Sequence, residues 1–228
     1  PTDRLRLLRR VTLDLTGLLP TMGEQEAFLA DRSPGAYFKV VDRLLASPHY
    51  GERWAQHWLD LVRYAESDGF KEDALRPGAH KYRDYVIRAF HANLPYAQFV
   101  RQQLAGDELE PDNPEALIAT GLNRLWPDEY NAANLEQRRQ EVLDDVTDTT
   151  TSVVLAMTLA CARCHDHKFD PISQKDYYRF QALFAACEPK DDARLALPME
   201  VAFYASVDAE YQSRLGRVQQ ARSPADRP

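Results

Sequence analysis

The chain has 228 residues, a formal net charge of −7 at pH 7 and 44% hydrophobic residues. This length allows one large domain or two small ones, and the acidic balance argues against nucleic acid and anionic membranes as partners. The longest apolar run, residues 152–162, is too short to cross a bilayer, so we expect no membrane span in this chain.

The first half of the chain predicts a series of helices separated by Pro and Gly. Gly17 and Pro20 end the first helix, and Thr21 and Glu24 have the spacing of a capping box that opens the second. Apolar residues at helical spacing and X-Pro steps give the remaining boundaries. We predict helices over residues 4–16, 21–30, 34–46, 50–66, 80–92, 96–105 and 114–125.

The second half continues in helices. Residues 133–164 predict one long helix that begins charged and ends in a Thr, Val, Leu and Ala run. Residues 174–186 predict another helix, residues 199–204 a short extended piece, and residues 208–222 a charged, exposed helix. The chain is therefore expected to be mainly α, an irregular multi-helix domain over residues 1–190 with a C-terminal extension over 191–228 that leads into a linker.

The long predicted helix ends in Cys161-Ala162-Arg163-Cys164-His165. This is the C-x-x-C-H attachment sequence of c-type haem, in which two thiols form thioethers and the adjoining imidazole binds the iron. On a helix the two thiols would point to one face. We therefore expect one covalent haem c bound by Cys161, Cys164 and His165, with His165 as an iron ligand.

Three other interpretations of the motif stay open. A thioredoxin-like redox pair would need a strand–helix context, and none is visible. A zinc site could use Cys161, Cys164, His165 and His167, although structural zinc sites usually draw their ligands from two separated segments. A plain helix with two small buried cysteines is the third. The remaining cysteine, Cys187, is expected to be a buried small hydrophobic residue.

The sixth iron position would decide between electron transfer and ligand activation. His57 lies on the aromatic face of the predicted helix 50–66 and is our first candidate for the second iron ligand. It could equally be a core histidine bonded to a carbonyl. His91 and Met199 are the next candidates.

Four polar residues are candidates for the surroundings of the haem. Arg83 and Arg63 could pair with propionates, although ordinary ion pairs are the simpler interpretation. Tyr64 could donate a hydrogen bond to a distal ligand, or belong to the aromatic core. His167 is too close to His165 to reach the opposite side of the iron, and it could bond a propionate or face solvent.

Eight short segments of the chain are similar to segments of one known protein family. They include Y-G-E-R-W at 50–54 and C-A-R-C-H-D-H-K-F-D-P-I at 161–172, with further segments at 9–18, 57–60, 63–65, 82–86, 94–96 and 103–107. Together they resemble the larger cytochrome c-like domain of the planctomycete-type multidomain cytochromes, a family of unknown function, over residues 4–187. In that family the domain usually follows a small cytochrome c domain and precedes another uncharacterised domain. The resemblance implies a large exported or cell-surface redox protein.

These observations lead to two functional hypotheses. The first is a monohaem c-type cytochrome domain that transfers electrons to a redox partner protein or to a neighbouring haem domain of the same polypeptide. The alternative is a haem enzyme of peroxidase or small-ligand-activating type, with an open or displaceable sixth position. Because the sequence starts at Pro1 without a signal peptide, we expect a fragment of an exported parent protein, periplasmic or at the cell surface.

Overall fold

The computed structural model describes residues 3–70, 72–129, 131–189, 195 and 197–221, without the side chains of 218–221. Within these residues the chain is helical and forms no strand; Ser67 and Leu75 make an isolated antiparallel bridge. The α-helices are α1 Arg4–Thr16, α2 Met22–Ala30, α3 Ala36–Leu45, α4 Pro48–Leu61, α5 Ala79–His91, α6 Tyr96–Leu109, α7 Pro114–Ala119, α8 Leu135–Val154, α9 Gln174–Gln181 and α10 Pro198–Ala221. Short 3₁₀ helices cover Thr120–Arg124, Leu159–Arg163 and Ala182–Phe184. None of the described helices is both long enough and apolar enough to span a bilayer.

The largest core cluster joins α4 to α7. Trp58, Val62, Tyr82, Val86 and Phe99 are buried there, and α4 packs along α5. A hydrogen-bonded group lies inside this cluster: the indole N–H of Trp58 donates to the Tyr82 hydroxyl (3.1 Å) and to Gln103 Oε1 (3.0 Å). Tyr82 also donates to Gln103 Oε1 at 2.6 Å, so the buried polar atoms satisfy one another.

Two smaller clusters complete the apolar interior. The first holds α1, α2 and α3 together through Leu8, Val11, Phe28, Val40 and Leu44. The second contains Leu159, Ala162 and Tyr177, with Ile172 packed against them. This second cluster carries the C-x-x-C-H segment.

Two predicted helix ends are wrong for one shared reason, a non-glycine residue in the left-handed conformation. The helix expected over 50–66 ends at Leu61, because Arg63 (φ 60) reverses the chain and the Tyr64 N–H bonds back to the Leu59 carbonyl. The helix expected over 133–164 ends at Val154, and Ala156 (φ 53) follows it. Glycine marks such ends in sequence, and neither end contains one.

Two other boundaries also differ from the prediction. Residues 199–204, expected to be extended, lie inside α10, and the helix expected over 208–222 begins at Pro198 instead. The third helix begins at Ala36 with Gly35 as its N-cap, two residues after the expected Pro34. The first two helices are confirmed, including the capping box of Thr21 and Glu24.

Candidate functional site

The C-x-x-C-H segment lies on the 3₁₀ helix Leu159–Arg163, with Cys164 as its C-cap, and not at the end of α8. A 3₁₀ helix has three residues per turn, so side chains three apart lie directly above one another. Leu159 and Ala162 share the buried side, whereas Cys161, Cys164 and His165 are exposed. The fold therefore anchors the segment through its small apolar residues and leaves the reactive atoms at the surface.

Arg163, the second variable residue of the motif, connects the segment to α8 through two ion pairs. Its guanidinium pairs with Asp144 at 3.0 Å and with Asp148 at 2.9 Å. The Tyr177 hydroxyl of α9 lies 3.3 Å from Asp144 and 3.2 Å from Asp148, and the amide of Gln181 donates to Asp144 at 2.8 Å. Burial raises the pKa of the Asp148 carboxyl, and Arg163 and Tyr177 oppose that rise.

His165 has one ring nitrogen committed and one available. Its Nδ1 lies 2.6 Å from the backbone carbonyl of Asp166, and because a carbonyl oxygen only accepts, Nδ1 carries the proton. Nε2 then holds a lone pair. A backbone carbonyl on Nδ1 is a common way of fixing the tautomer of a histidine that binds metal through Nε2.

His167 stabilises the loop after the motif. Its side chain is 5% exposed, and its Nδ1 accepts from the backbone N–H of Asp170 at 2.9 Å and of Phe169 at 3.3 Å. Of the two alternatives for His167, the one in which it faces solvent is wrong, because these two N–H groups hold the imidazole within the loop. Its proposed bond to a propionate stays a prediction.

The three candidates for the second iron ligand lie on three different helices. His57 is exposed, with its ring 5.5 Å from that of Trp54. In the part of the chain that the structure describes, no hydrogen bond, ion pair or ring contact joins His57 to the motif. Its assignment as the second iron ligand stays a prediction. His91 is at the end of α5 and Met199 in the first turn of α10, and both are exposed.

Tyr64 and Arg83 meet on one carboxylate. The Tyr64 hydroxyl donates to Glu66 Oε1 at 2.8 Å, and Arg83 pairs with the same oxygen at 2.7 Å and with Asp84 at 3.0 Å. Burial and the bond to Glu66 raise the pKa of Tyr64. Arg63 instead reaches α8, where both of its terminal nitrogens lie 2.7 Å from the Asp145 carboxylate.

The acidic group on α8, Asp144, Asp145 and Asp148, is a part of the site that the predicted site residues do not include. In the structure its carboxylates pair with arginines. The spacing of Asp144 and Asp148, one helical turn apart, was the available signal. Their partners are Arg63 and Arg163, from two distant segments. Cys187, expected to be buried, is exposed.

The structure was also searched for metal-binding groups and for clefts, and neither search leads to the C-x-x-C-H segment in the described ranges. Within the described ranges, no group of three or more His, Cys, Asp or Glu side chains is arranged to bind a metal ion. A cleft of about 460 Å³ lies at the start of α8 and is lined by other residues, among them Phe70, Glu72, Asp128 and Arg138. Asp128 is buried and paired there with Arg138 at 2.6 Å.

No curated protein and no solved structure matches the chain. One protein family does: the profile of PSCyt2, described as "Protein of unknown function (DUF1549)", matches residues 1–189. The match covers α1 to α9 and includes the C-x-x-C-H segment and its partners on α8. The chain therefore belongs to the PSCyt2 family of proteins of unknown function.

Proposed function

We propose that this chain is a monohaem c-type cytochrome domain that transfers electrons within a larger extracytoplasmic redox protein. The observation that carries the proposal is the arrangement of Cys161, Cys164 and His165. Both thiols are exposed and unpaired on one short helix, and the adjoining imidazole keeps an Nε2 lone pair. Covalent haem attachment needs these three features together.

Several side chains around the motif are apolar, as the surroundings of a bound porphyrin need to be. Leu155 and Met157 precede the motif and Phe169 follows it, and all three side chains are exposed although they are apolar. A covered porphyrin face would give such side chains an apolar partner. When bound, the haem supplies a one-electron iron couple, and the chain's own contribution is to fix the ligand and set the polarity around it.

The remaining predicted residues have defined roles in this proposal. His165 is the proximal ligand and His57 the candidate distal ligand. Arg83 and Tyr64 would have to exchange their bonds to Glu66 for bonds to a propionate or a distal ligand, so we rank them below the motif residues. The electron partner is a redox protein or a neighbouring haem domain, in keeping with the resemblance to planctomycete-type multidomain cytochromes.

The proposal is tested by producing the 228-residue chain in a bacterial host that matures c-type cytochromes in its periplasm. Intact mass spectrometry should find the mass of one added haem, and the haem should stay attached after denaturation. The double variant Cys161→Ala/Cys164→Ala should lose it. Cys187→Ala is the matched control, because that thiol is also exposed but lies outside the motif, and it should keep the haem.

A colourless product with both motif thiols unmodified would reject haem attachment. If haem is attached, the optical spectrum separates the two functions. A low-spin ferric spectrum indifferent to cyanide supports electron transfer, whereas a high-spin spectrum that changes with cyanide supports a haem enzyme with an open sixth position. An unaltered spectrum of His57→Ala would reject His57 as an iron ligand.

A further inference from the structure

Two carboxylates of α8 share one phenol on the buried side of the C-x-x-C-H segment. The Tyr177 hydroxyl lies 3.3 Å from Asp144 Oδ1 and 3.2 Å from Asp148 Oδ1, and the Tyr177 side chain is fully buried. A phenol carries one hydrogen, so it donates to only one of these carboxylates at a time, and its oxygen can accept from the other when that one is protonated. The group therefore has a place for one more proton.

Asp148 is the carboxylate that is free to take this proton. Asp144 is held as a carboxylate, because it accepts hydrogen bonds from Gln140 and Gln181 at 2.8 Å each and from Arg163 at 3.0 Å. Among the described residues, the side chain of Asp148 bonds only to Arg163 and the phenol, and its Oδ1 bonds to the phenol alone. Hydrogen bonds to a carboxylate favour its charged form, and Asp148 has fewer of them. Its side chain is 26% exposed, so protons reach it from solvent.

The charges around Asp148 also favour one more proton. Titratable and charged groups face Asp148 from α8 and from three other parts of the fold: Asp144 and Asp145 of α8, Arg163 of the 3₁₀ helix, Tyr177 of α9, and Arg63 after α4. The three carboxylates outnumber the two guanidiniums by one, so one proton makes the group neutral. Burial raises the pKa of Asp148 in the same direction. Burial and the two carboxylates beside it raise the pKa of Tyr177, so the phenol keeps its own proton at neutral pH.

This proton site adjoins the motif. Arg163 lies between the two motif cysteines in the chain, and Tyr177 packs against Ala162 of the same segment. An electron added at the motif brings negative charge close to Asp148, and the Coulomb repulsion between them disfavours the carboxylate. The apolar cluster that holds Tyr177 strengthens this repulsion, because less water screens it.

We propose that Asp148 takes up a proton when the domain accepts an electron, an inference that rests on the proposed haem c function. For one electron that the redox partner delivers to the haem iron, Asp148 Oδ1 binds up to one proton from solvent and donates it to the Tyr177 oxygen, while Tyr177 donates to Asp144. On reoxidation the same O–H bond breaks and the proton returns to water. By linkage, the reduction potential therefore falls as pH rises over the range in which Asp148 loses its proton.

Redox titration of the haem-loaded 228-residue chain at a series of pH values tests the proposal, after mass spectrometry has shown one added haem. The reduction potential should fall as pH rises from about 4 to about 8, and Asp148→Asn should abolish most of that fall. Asp145→Asn is the matched control and should keep the fall, because it removes the same charge from the same helix but its carboxylate bonds to Arg63 and not to Tyr177. Circular dichroism checks that each variant is folded.

A second measurement uses the unmodified chain and so does not depend on whether a variant folds. NMR titration of the labelled Asp148 carboxyl carbon should give a higher pKa in the reduced protein than in the oxidised one. Tyr177→Phe keeps the buried ring but removes the phenol oxygen, and it should reduce the pH dependence of the potential. Equal pH dependence in Asp148→Asn and Asp145→Asn, or the same Asp148 pKa in both redox states, would overturn the coupling while the haem assignment stands. A chain without added haem would overturn both.

Discussion

Replacing Arg163 with Gln should loosen the C-x-x-C-H segment, because Arg163 is its ionic link to α8. The two ion pairs measure 3.0 and 2.9 Å, and the side chains of Arg163, Asp144 and Asp148 are 38%, 13% and 26% exposed. Exposed ion pairs contribute up to about 1 kcal/mol, and breaking buried ones costs about 3–5 kcal/mol. The pairs of Arg163 are intermediate in burial, so we expect Arg163→Gln to lower the free energy of unfolding by about 2 kcal/mol.

The size of this loss should depend on pH. Burial raises the pKa of Asp148 above its ordinary value of 3.8, so the folded chain holds that proton more tightly than the unfolded chain. The contribution of Asp148 to stability therefore falls as pH rises from 3.8 through the folded-state pKa. Removing Arg163 takes away a charge that opposes this rise. Arg163→Gln should consequently cost more at about pH 7 than at about pH 4.

Urea unfolding of the haem-free chain at both pH values, followed by circular dichroism, measures the effect. Arg179→Gln is the matched control, because Arg179 pairs with Asp176 at 3.1 Å with both side chains largely exposed. It should cost about 0.5 kcal/mol or less. Equal losses for the two variants, or an Arg163→Gln loss that is the same at both pH values, would refute the assigned role of Arg163.

Four further predictions concern the helical body. Gly106→Ala should destabilise the chain by about 2–4 kcal/mol in thermal unfolding, because a Cβ there would lie 2.2 Å from a backbone oxygen of α7. Gly23→Ala, which meets nothing within 4 Å in α2, should instead stabilise by about 0.5–1 kcal/mol, and a loss there would contradict the packing argument. Gln103→Leu removes the acceptor shared by Trp58 and Tyr82 and should cost about 2–3 kcal/mol in urea unfolding; a neutral result would show that the group is not buried. Burial raises the pKa of Tyr82, so its proton is held more tightly when folded, and stability should fall as pH rises above about 10. Ultraviolet titration of tyrosinate in folded and unfolded chain checks this.

Local sequence signals determined much of the secondary structure. Residues 4–16 form a helix that ends at Gly17, and the capping box of Thr21 and Glu24 opens the next one, as predicted. These features depend on neighbours within one helical turn, so the sequence contains all the information they need. The C-x-x-C-H motif is likewise a local pattern, and its three reactive side chains are all exposed in the structure.

The end of α8 could not be predicted in the same way. Residues 133–164 have a continuous helical pattern, but the chain leaves the helix at Val154 through the left-handed Ala156. The Thr and Val residues that precede the break have only weak helix propensity, so packing decides the outcome. The Leu159, Ala162 and Tyr177 cluster holds the following segment as a separate 3₁₀ helix.

The helical class, most helix starts and the residues of the C-x-x-C-H motif follow from the sequence alone, because each depends on residues close together in the chain. Which distant side chains meet depends on tertiary packing. Arg63 and Arg163 both reach the acidic face of α8, although they are a hundred residues apart and belong to different elements. The helical period places Asp144, Asp145 and Asp148 on neighbouring positions. Only the chain reversal at Arg63 and the packing of the 3₁₀ helix Leu159–Arg163 against α8 bring their partners to them.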